Sequence, residues 1–341
     1  MRPALSFVIS SVVFLALSTG CRIPERNDVF RREETRTLEL KPGGQLRAQT
    51  FNGSITVEGW DKDEVHLVAK IRERREGEVC LTAESQNGQV IIKSEKENER
   101  NFIIGFGESN GVSYTLKIPR KTMITVISSN GRMEISALDG EVDATTSNGS
   151  ITANSIKGKT RLSTSNATIR VEKIIGDMIA RTSNGSIDAN GIEGTADLRT
   201  SNGRIIAKNI KGKAEAVTSN GSIIAETIGG DLVGRSSNGR IGINGVSGAI
   251  DMSTSNASIK AENMDGLGRG IRLATSNASI DVALGNVQGL LEAQTINRNH
   301  GVNIRIPNVT QTVDGAVTRA KIGNSDQLIQ LTTTHGSITV R

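Results

Sequence analysis

The sequence predicts an all-β chain wound as a single-stranded parallel β-helix, a right-handed solenoid of about 18 residues per coil with capping strands at its N-terminal end. Three observations predict it: an unbroken repeat, apolar positions that step by two within each repeat, and aromatic residues at only 2% of the chain.

The repeat is read from the string Ser-Asn-Gly or Ser-Asn-Ala. Its asparagines, Asn130, Asn148, Asn166, Asn184, Asn202, Asn220, Asn238 and Asn256, are 18 residues apart without a break, and Asn277 follows after 21. The extra residues fall in the glycine-rich stretch from Gly266 to Gly270. Degenerate copies flank the array at Phe51-Asn52-Gly53-Ser54-Ile55, Ser109-Asn110-Gly111 and His335-Gly336-Ser337-Ile338. So long a fixed period is the signature of stacked units, each burying its apolar face only against its neighbours.

Counted from each Asn as zero, position +3 is Met133 and then Ile from Ile151 to Ile259, while +5 holds residues such as Ala153, Val171 and Ala189. Position +8 runs Leu138, Ile156, Ile174, Ile192, Ile210, Ile228, Val246 and Met264; position +10 is glycine from Gly140 to Gly266. Positions +12 and +14 are mostly apolar, as in Val142 and Ala144 or Ala196 and Leu198. Steps of two belong to strands, not helices. The Asn-Gly corner and the +10 glycine are the turn signals that separate them. Stacking like on like buries columns of Ile, each side chain contributing roughly 1.5–3 kcal/mol. About a dozen coils at ~4.8 Å give a rod of about 60 Å. The steps +3, +8, +14 break the six-residue sub-period of a hexapeptide helix, and right-handed winding follows the usual crossover hand.

The corner asparagines follow an inward Thr at +16 (Thr146, Thr164, Thr182, Thr200, Thr218), so they are expected to form an internal amide ladder from coil to coil. Asn-Gly-Ser and Asn-Ala-Ser also match the N-glycosylation acceptor pattern. Recurrence at every corner favours the ladder.

Residues 1–21 read as a signal segment: Arg2, an apolar run from Leu5 to Leu17, then Ser18-Thr19-Gly20-Cys21. The run is shorter than a bilayer-spanning helix. Its end resembles a bacterial lipobox, with Ser18 where Leu is usual, and this implies lipidation at Cys21. Arg22, in place of Asp, resembles outer-membrane sorting in a Gram-negative envelope. Residues 22–37 are charge-rich and read as a tether. The remaining divisions are capping strands and irregular coils at 38–125, the regular array at 126–285, and irregular coils with a cap at 286–341. Most aromatics of the mature chain, Phe51, Trp60, Phe102, Phe106 and Tyr114, fall in the first of these. Trp60 and Val65-His66-Leu67-Val68-Ala69 suggest strands that cover the open end. Cys80, lying between Val79 and Leu81 with no partner, reads as a small buried residue.

His66, His300 and His335 are far apart, and no HExxH, CxxC pair, P-loop or GxSxG occurs. Gly105-Phe106-Gly107 lacks the third glycine of a nucleotide-binding loop. No metal and no cofactor are expected. Outward columns such as Glu141, Lys159, Asp177 or Asp139, Lys157 often alternate in sign from coil to coil, which reads as a surface ion-pair ladder. Two columns beside the corner differ. Position +15 holds Arg181, Arg199 and Arg235, position +2 holds Arg132, Arg204 and Arg240, and their other members are Ser, Thr or Val. If both face outward, one edge is basic and suits an anionic envelope polymer or lipid head group. A solvated edge is the plainer reading, because the chain carries 41 basic and 36 acidic residues, a net charge of +5. Inward Thr at +16 argues against ice binding, and the few aromatics argue against nucleic acid.

Lys41-Pro42-Gly43-Gly44, the run from Phe51 to Asp61, the repeated Thr-Ser-Asn-Gly-Ser-Ile and the closing His335-Gly336-Ser337-Ile338-Thr339-Val340 resemble the bacterial putative-adhesin β-strand-repeat family of unknown function. The resemblance covers about residues 38–341 and implies a β-solenoid; it brings no catalytic residues. Two classes of function remain. One is an envelope-anchored, non-catalytic binding or structural scaffold, held to the membrane by its lipid and meeting an anionic glycan or another envelope protein. The other is a carbohydrate-active β-helix enzyme with its site in the irregular ends, around Glu292 to Arg305 or Glu95 to Arg100. For the fold itself, Ile205→Asp is expected to unfold the middle coils, since it puts an unpaired charge in the stack. Unaltered thermal unfolding of that variant would mean that the inward column is assigned wrongly.

Overall fold

Alternation of apolar and polar residues builds two long sheets, and each repeat gives one strand to each. The computed structural model describes residues 29–96, 110–264, 270–297 and 301–341. In the repeat of Asn202, Ile205–Ile210 joins a 15-stranded sheet and Ala214–Val217 a 16-stranded one. Pairing is parallel and in register, so Ile205 lies between Ile187 and Ile223, and Ala214 between Ala196 and Leu232. The +3, +5, +8, +12 and +14 side chains of this coil, Ile205, Ala207, Ile210, Ala214 and Ala216, are all buried between the sheets. The interior is narrow enough for Ile to meet Ala or Leu across it, which is why aromatic side chains are not needed. Between the two strands the chain turns at +10, where a Cβ on Gly212 would stand 2.5 Å from the carbonyl oxygen of Gly194.

The long strand has a feature that strict alternation does not give. Positions +5 and +8 both face inward although three residues apart, so one residue must be taken out of the pleat. That residue is +7. Ala137, Ser155, Lys173, Asn209, Thr227 and Asn263 have φ between 51° and 57°, and Gly191 and Gly245 have φ of 73° and 70°. The ladder passes over it: Asn154 opposes Glu172, and the next pair is Ile156 with Ile174. Each coil from Asn130 to Asn256 thus carries a bulge in the same place, stacked on the bulges of its neighbours.

At both ends the order in space departs from the order in the chain. The segments Gln45–Gln49 and Ile55–Trp60 form a coil that lies directly on Met123–Ile127 and Met133–Leu138, with Leu46 opposite Ile124 and Ile55 opposite Met133. The later segments Gln89–Lys96 and Gly111–Pro119 pair on its outer side. Likewise the last strands, Leu328–Thr333 and Ile338–Val340, insert between the coil of Ile271–Ala274 and Ile280–Val282 and the coil of Gly289–Thr295 and Val302–Ile304. Antiparallel strands close the stack: Phe30–Glu39 and Glu64–Glu73 beyond Gly111–Pro119, Val79–Gln86 beyond Gln89–Lys96, and Gln311–Asp314 with Val317–Ile322 at the far end. Without these, thirteen parallel strands remain in each sheet, so the stack is about 60 Å long at ~4.8 Å per coil.

Two expectations are corrected. The segment 22–37 is not a tether throughout, because Phe30–Glu39 is an edge strand paired with Glu64–Glu73; residues 22–28 lie outside the described residues. Its charges have partners, Arg32 Nε donating to Glu73 at 3.2 Å and Arg32 to the Val79 carbonyl at 2.7 Å. A charged edge also discourages further strand addition. Cys80 is exposed, not buried, because it is on the outward side of the edge strand Val79–Gln86, between buried Val79 and Leu81.

The bulge gives a test. A β-branched residue in the left-handed region costs roughly 1–2 kcal/mol, which glycine removes against its own chain-entropy cost. Thr227→Gly is therefore expected to stabilise the chain by about 0.5–1 kcal/mol, read as a higher denaturation midpoint. A lower midpoint would show that the Thr227 side chain contributes more than its backbone strain.

Candidate functional site

The corner is built by four residues with fixed directions. Thr at +16 and Gly at +1 turn inward; Ser at +17 and Asn stand at the apex. Thr200 Oγ1 donates to the carbonyl of Gly185 at 2.9 Å and accepts from the Gly203 N–H at 3.2 Å, tying one corner to the coil before it. A Cβ on Gly203 would come within 1.8 Å of the Gly185 oxygen. Three corners carry alanine instead, Ala167, Ala257 and Ala278. The N–H to hydroxyl bond made at Gly131, Gly149, Gly185, Gly203, Gly221 and Gly239 is missing at these three. The alanine corners therefore fit the column by giving up the inner clip.

The asparagine side chains form an amide ladder. Each Nδ2 donates to the Oδ1 of the preceding corner, at 2.6 Å for Asn148 to Asn130 and Asn166 to Asn148. The spacing is 2.7 Å for Asn184, Asn202, Asn220, Asn238, Asn256 and Asn277. Asn130 in turn bonds Asn52, so the degenerate copy is the first rung, and the 21-residue repeat does not interrupt the column. The ladder is not internal, as expected from sequence, but exposed. The reason is the corner itself, where Thr and Gly take both inward places.

The arginines at +15 share one outward row of the second sheet, Arg181 beside Arg199, then Val217, then Arg235. Those at +2 lie just across the corner, so Arg199 and Arg204 flank one apex and Arg235 and Arg240 flank another two coils away, about 10 Å along the rod. The basic edge is not continuous. Acids from the adjacent outward columns reach three of the six, Glu134 to Arg132 at 3.7 Å, Asp197 to Arg181 at 3.6 Å and Asp197 to Arg199 at 2.7 Å. Arg199 also pairs with Glu215. The hydrogen bond that Arg199 donates to Asp197 raises its guanidinium above the ordinary value. Arg204, Arg235 and Arg240 are exposed and make no ion pair among the described residues. Elsewhere charges of neighbouring coils do pair, Lys157 with Asp139 at 3.2 Å, Lys208 with Glu226 at 2.8 Å and Lys211 with Glu193 at 3.0 Å.

A second basic region was not evident in sequence. At the N-terminal end an open cleft of about 850 Å³ is lined by Arg31, Glu33, Lys70, Arg72 and Arg132, with Asn52, Gly53, Ser54, Gly111, Ser113, Asn130 and Gly131 between them. Only the reordered stacking brings these residues together. The signal available was the density of arginine at Arg31-Arg32, Arg72 and Arg74-Arg75.

The proposed enzyme regions gather no convergent acids in the described residues. Glu292 is paired with Arg319 at 3.0 Å, Glu95 with Lys93, and residues 97–100 and 298–300 lie outside them. His66 stands 6.2 Å from the Trp60 ring, His335 occupies the corner after Asn277, and His300 lies outside the described residues. No three His, Cys, Asp or Glu side chains of the described residues cluster as a metal site would require. Cys21, Gly266, Phe102, Phe106 and Gly105-Phe106-Gly107 also lie outside them.

Residues 46–266 match the family described as Toastrack DUF4097. The chain belongs to the Toastrack DUF4097 family. The match begins in the inner coil of the N-terminal cap and runs to the last regular repeat. No curated protein matches the chain. A solved structure titled a putative cell adhesion protein from Clostridium sporogenes is similar over 91% of this chain and 99% of its own, at 8% identity and a TM-score of 0.19, too distant to inform function.

The cap of this Toastrack DUF4097 chain carries its single tyrosine, Tyr114, buried beneath the cleft strands with its hydroxyl 3.1 Å from the Gln49 carbonyl. Burial pushes its phenol up to about 12, outweighing hydrogen bonds with Ser94 and Thr50 that lower it. The phenol is neutral when folded, so its contribution is whole below about pH 10 and is lost as pH rises through the folded value. Absorbance titration is expected to show tyrosinate only near pH 12, together with loss of structure. Ionisation near pH 10 in the folded chain would mean that the cap is open.

Proposed function

We propose that the chain is a lipoprotein of the cell envelope, anchored through Cys21, whose solenoid is a non-catalytic scaffold that binds an anionic envelope polymer along its corner edge. One observation carries the reading: Arg204, Arg235 and Arg240 are exposed cations without ion-pair partners among the described residues, and all three stand beside the corner apex, Arg235 and Arg240 on the two sides of one apex and Arg204 beside another two coils away. Around them stand the serines and asparagines of the apex, whose remaining donors and acceptors face solvent. A rod with in-register cations about 10 Å apart suits a long ligand with repeated negative charge better than a small one enclosed in a pocket. The signal pattern ending at Cys21 supports the envelope address.

The test is retention of residues 29–341 on arrayed envelope and host glycans, with hydrolysis products followed in the same wells. Acidic glycans are expected to be held without turnover. Replacing Arg204, Arg235 and Arg240 together with serine is expected to weaken retention on the order of tenfold, while Arg181→Ser, already paired with Asp197, has a smaller effect. Undiminished retention by the triple variant would remove the corner from the account. Released products would overturn the non-catalytic reading.

A further inference from the structure

We propose that the N-terminal end of the rod docks on an anionic phospholipid surface through the basic cleft of the cap. The cleft has cations on two sides and small residues between them. Arg31 is in register with Arg72, Arg72 with Gly111, and Lys70 with Ser113; Arg132 stands on the far side, beyond Ser54. From the strand of Arg31 to that of Arg132 there are four strand intervals, about 19 Å at ~4.8 Å each. Among the described residues the only acid lining it is Glu33, 3.9 Å from Lys70. The width and openness suit several phosphate-bearing head groups presented side by side.

The course of the chain places this surface toward a bilayer. The first strand begins at Phe30, and Arg31 beside it lines the cleft. If Cys21 carries the lipid, the eight residues from Arg22 to Val29 can reach at most about 28 Å, so the cap cannot leave the neighbourhood of the head groups. That argument rests on the anchored reading above; the charge argument does not.

The experiment uses residues 29–341, which lack Cys21, with vesicles of phosphatidylcholine alone or mixed with phosphatidylglycerol. Co-sedimentation is expected with the mixed vesicles only, and 1 M salt, where screening acts over about 3 Å, should release it. Replacing Lys70, Arg72 and Arg132 with serine removes three cations at about fivefold each, so affinity should fall on the order of a hundredfold. Arg72→Lys with Arg132→Lys should keep it. Replacing Lys159, Lys173 and Lys213 with serine, three exposed cations away from the cleft and the corner, should leave binding as in the parent. Tyr114 absorbance shows whether each variant keeps its cap. Equal binding to phosphatidylcholine alone, no binding to mixed vesicles, or full binding by the folded cleft variant would overturn the proposal. Anchoring is read separately, from membrane retention of the Cys21→Ser protein in cells, so loss of one result leaves the other standing.

Discussion

Register between identical coils is the constraint on which the rest of the structure depends. Ile at +3 stacks on Ile, Ala at +5 on Ala, and glycine at the corner on glycine, because each coil has no other place to bury its apolar face. A shift of one residue would turn Ile205 outward and the charged Lys208 toward the core. Two polar devices add to this register. Thr200 clips its hydroxyl to the coil before it, and the asparagine amides bond in a single direction from Asn277 back to Asn52. The ladder is exposed, so its strength is modest per rung. Its contribution is to fix the apex geometry at each corner, including the one that follows the longer repeat.

A stack of coils has two open ends, and this chain closes them by reordering. The first and last coils in the sequence are each second in the stack, covered by segments that come later or earlier in the chain. The strands of those two coils, Ile338–Val340 near the C-terminus among them, are thereby paired on both sides instead of fraying. Beyond them, antiparallel strands rich in charge, such as Phe30–Glu39, present poor edges for strand addition. The N-terminal cleft is a by-product of this arrangement, since Arg72 and Arg132 lie 60 residues apart in the chain but near each other only because the coil of Ile55 is tucked between their strands.

The repeat made most of the fold legible, because a column is visible as a period. The inward positions, the turn at +10 and the solenoid itself follow from it. The step of three between +5 and +8 was equally visible and implied the bulge, yet only two of its eight positions are glycine and two asparagine, so no left-handed signal marked the other four. The apex was misread for a different reason. Thr, or Ser at Ser128 and Ser236, precedes Ser and Asn at the corners from Asn130 to Asn277, and carrying the alternation of two on from that inward residue put Asn inside; the close approach of the glycine backbone turns it out. The cap was least legible, since its neighbours are set by non-local pairing without a period. That is also where the second cluster of cations lies.

Where every inward position is fixed by its neighbours, outward positions are free of packing, and their charge is set by other demands. Most outward columns satisfy the simplest demand, neutralisation between coils, as Lys208 with Glu226 does. Departures from that pattern are therefore informative. Arg199 pairs with Asp197 and Glu215, whereas Arg235, two coils along the same row, makes no ion pair among the described residues: Asp251, in the place that Glu215 has beside Arg199, pairs with Arg272 at 3.9 Å instead. A rigid rod that keeps such groups at fixed spacing loses little conformational entropy when a long anion or a flat anionic surface meets them, and that rigidity, more than any single contact, is what the stacked core contributes to binding.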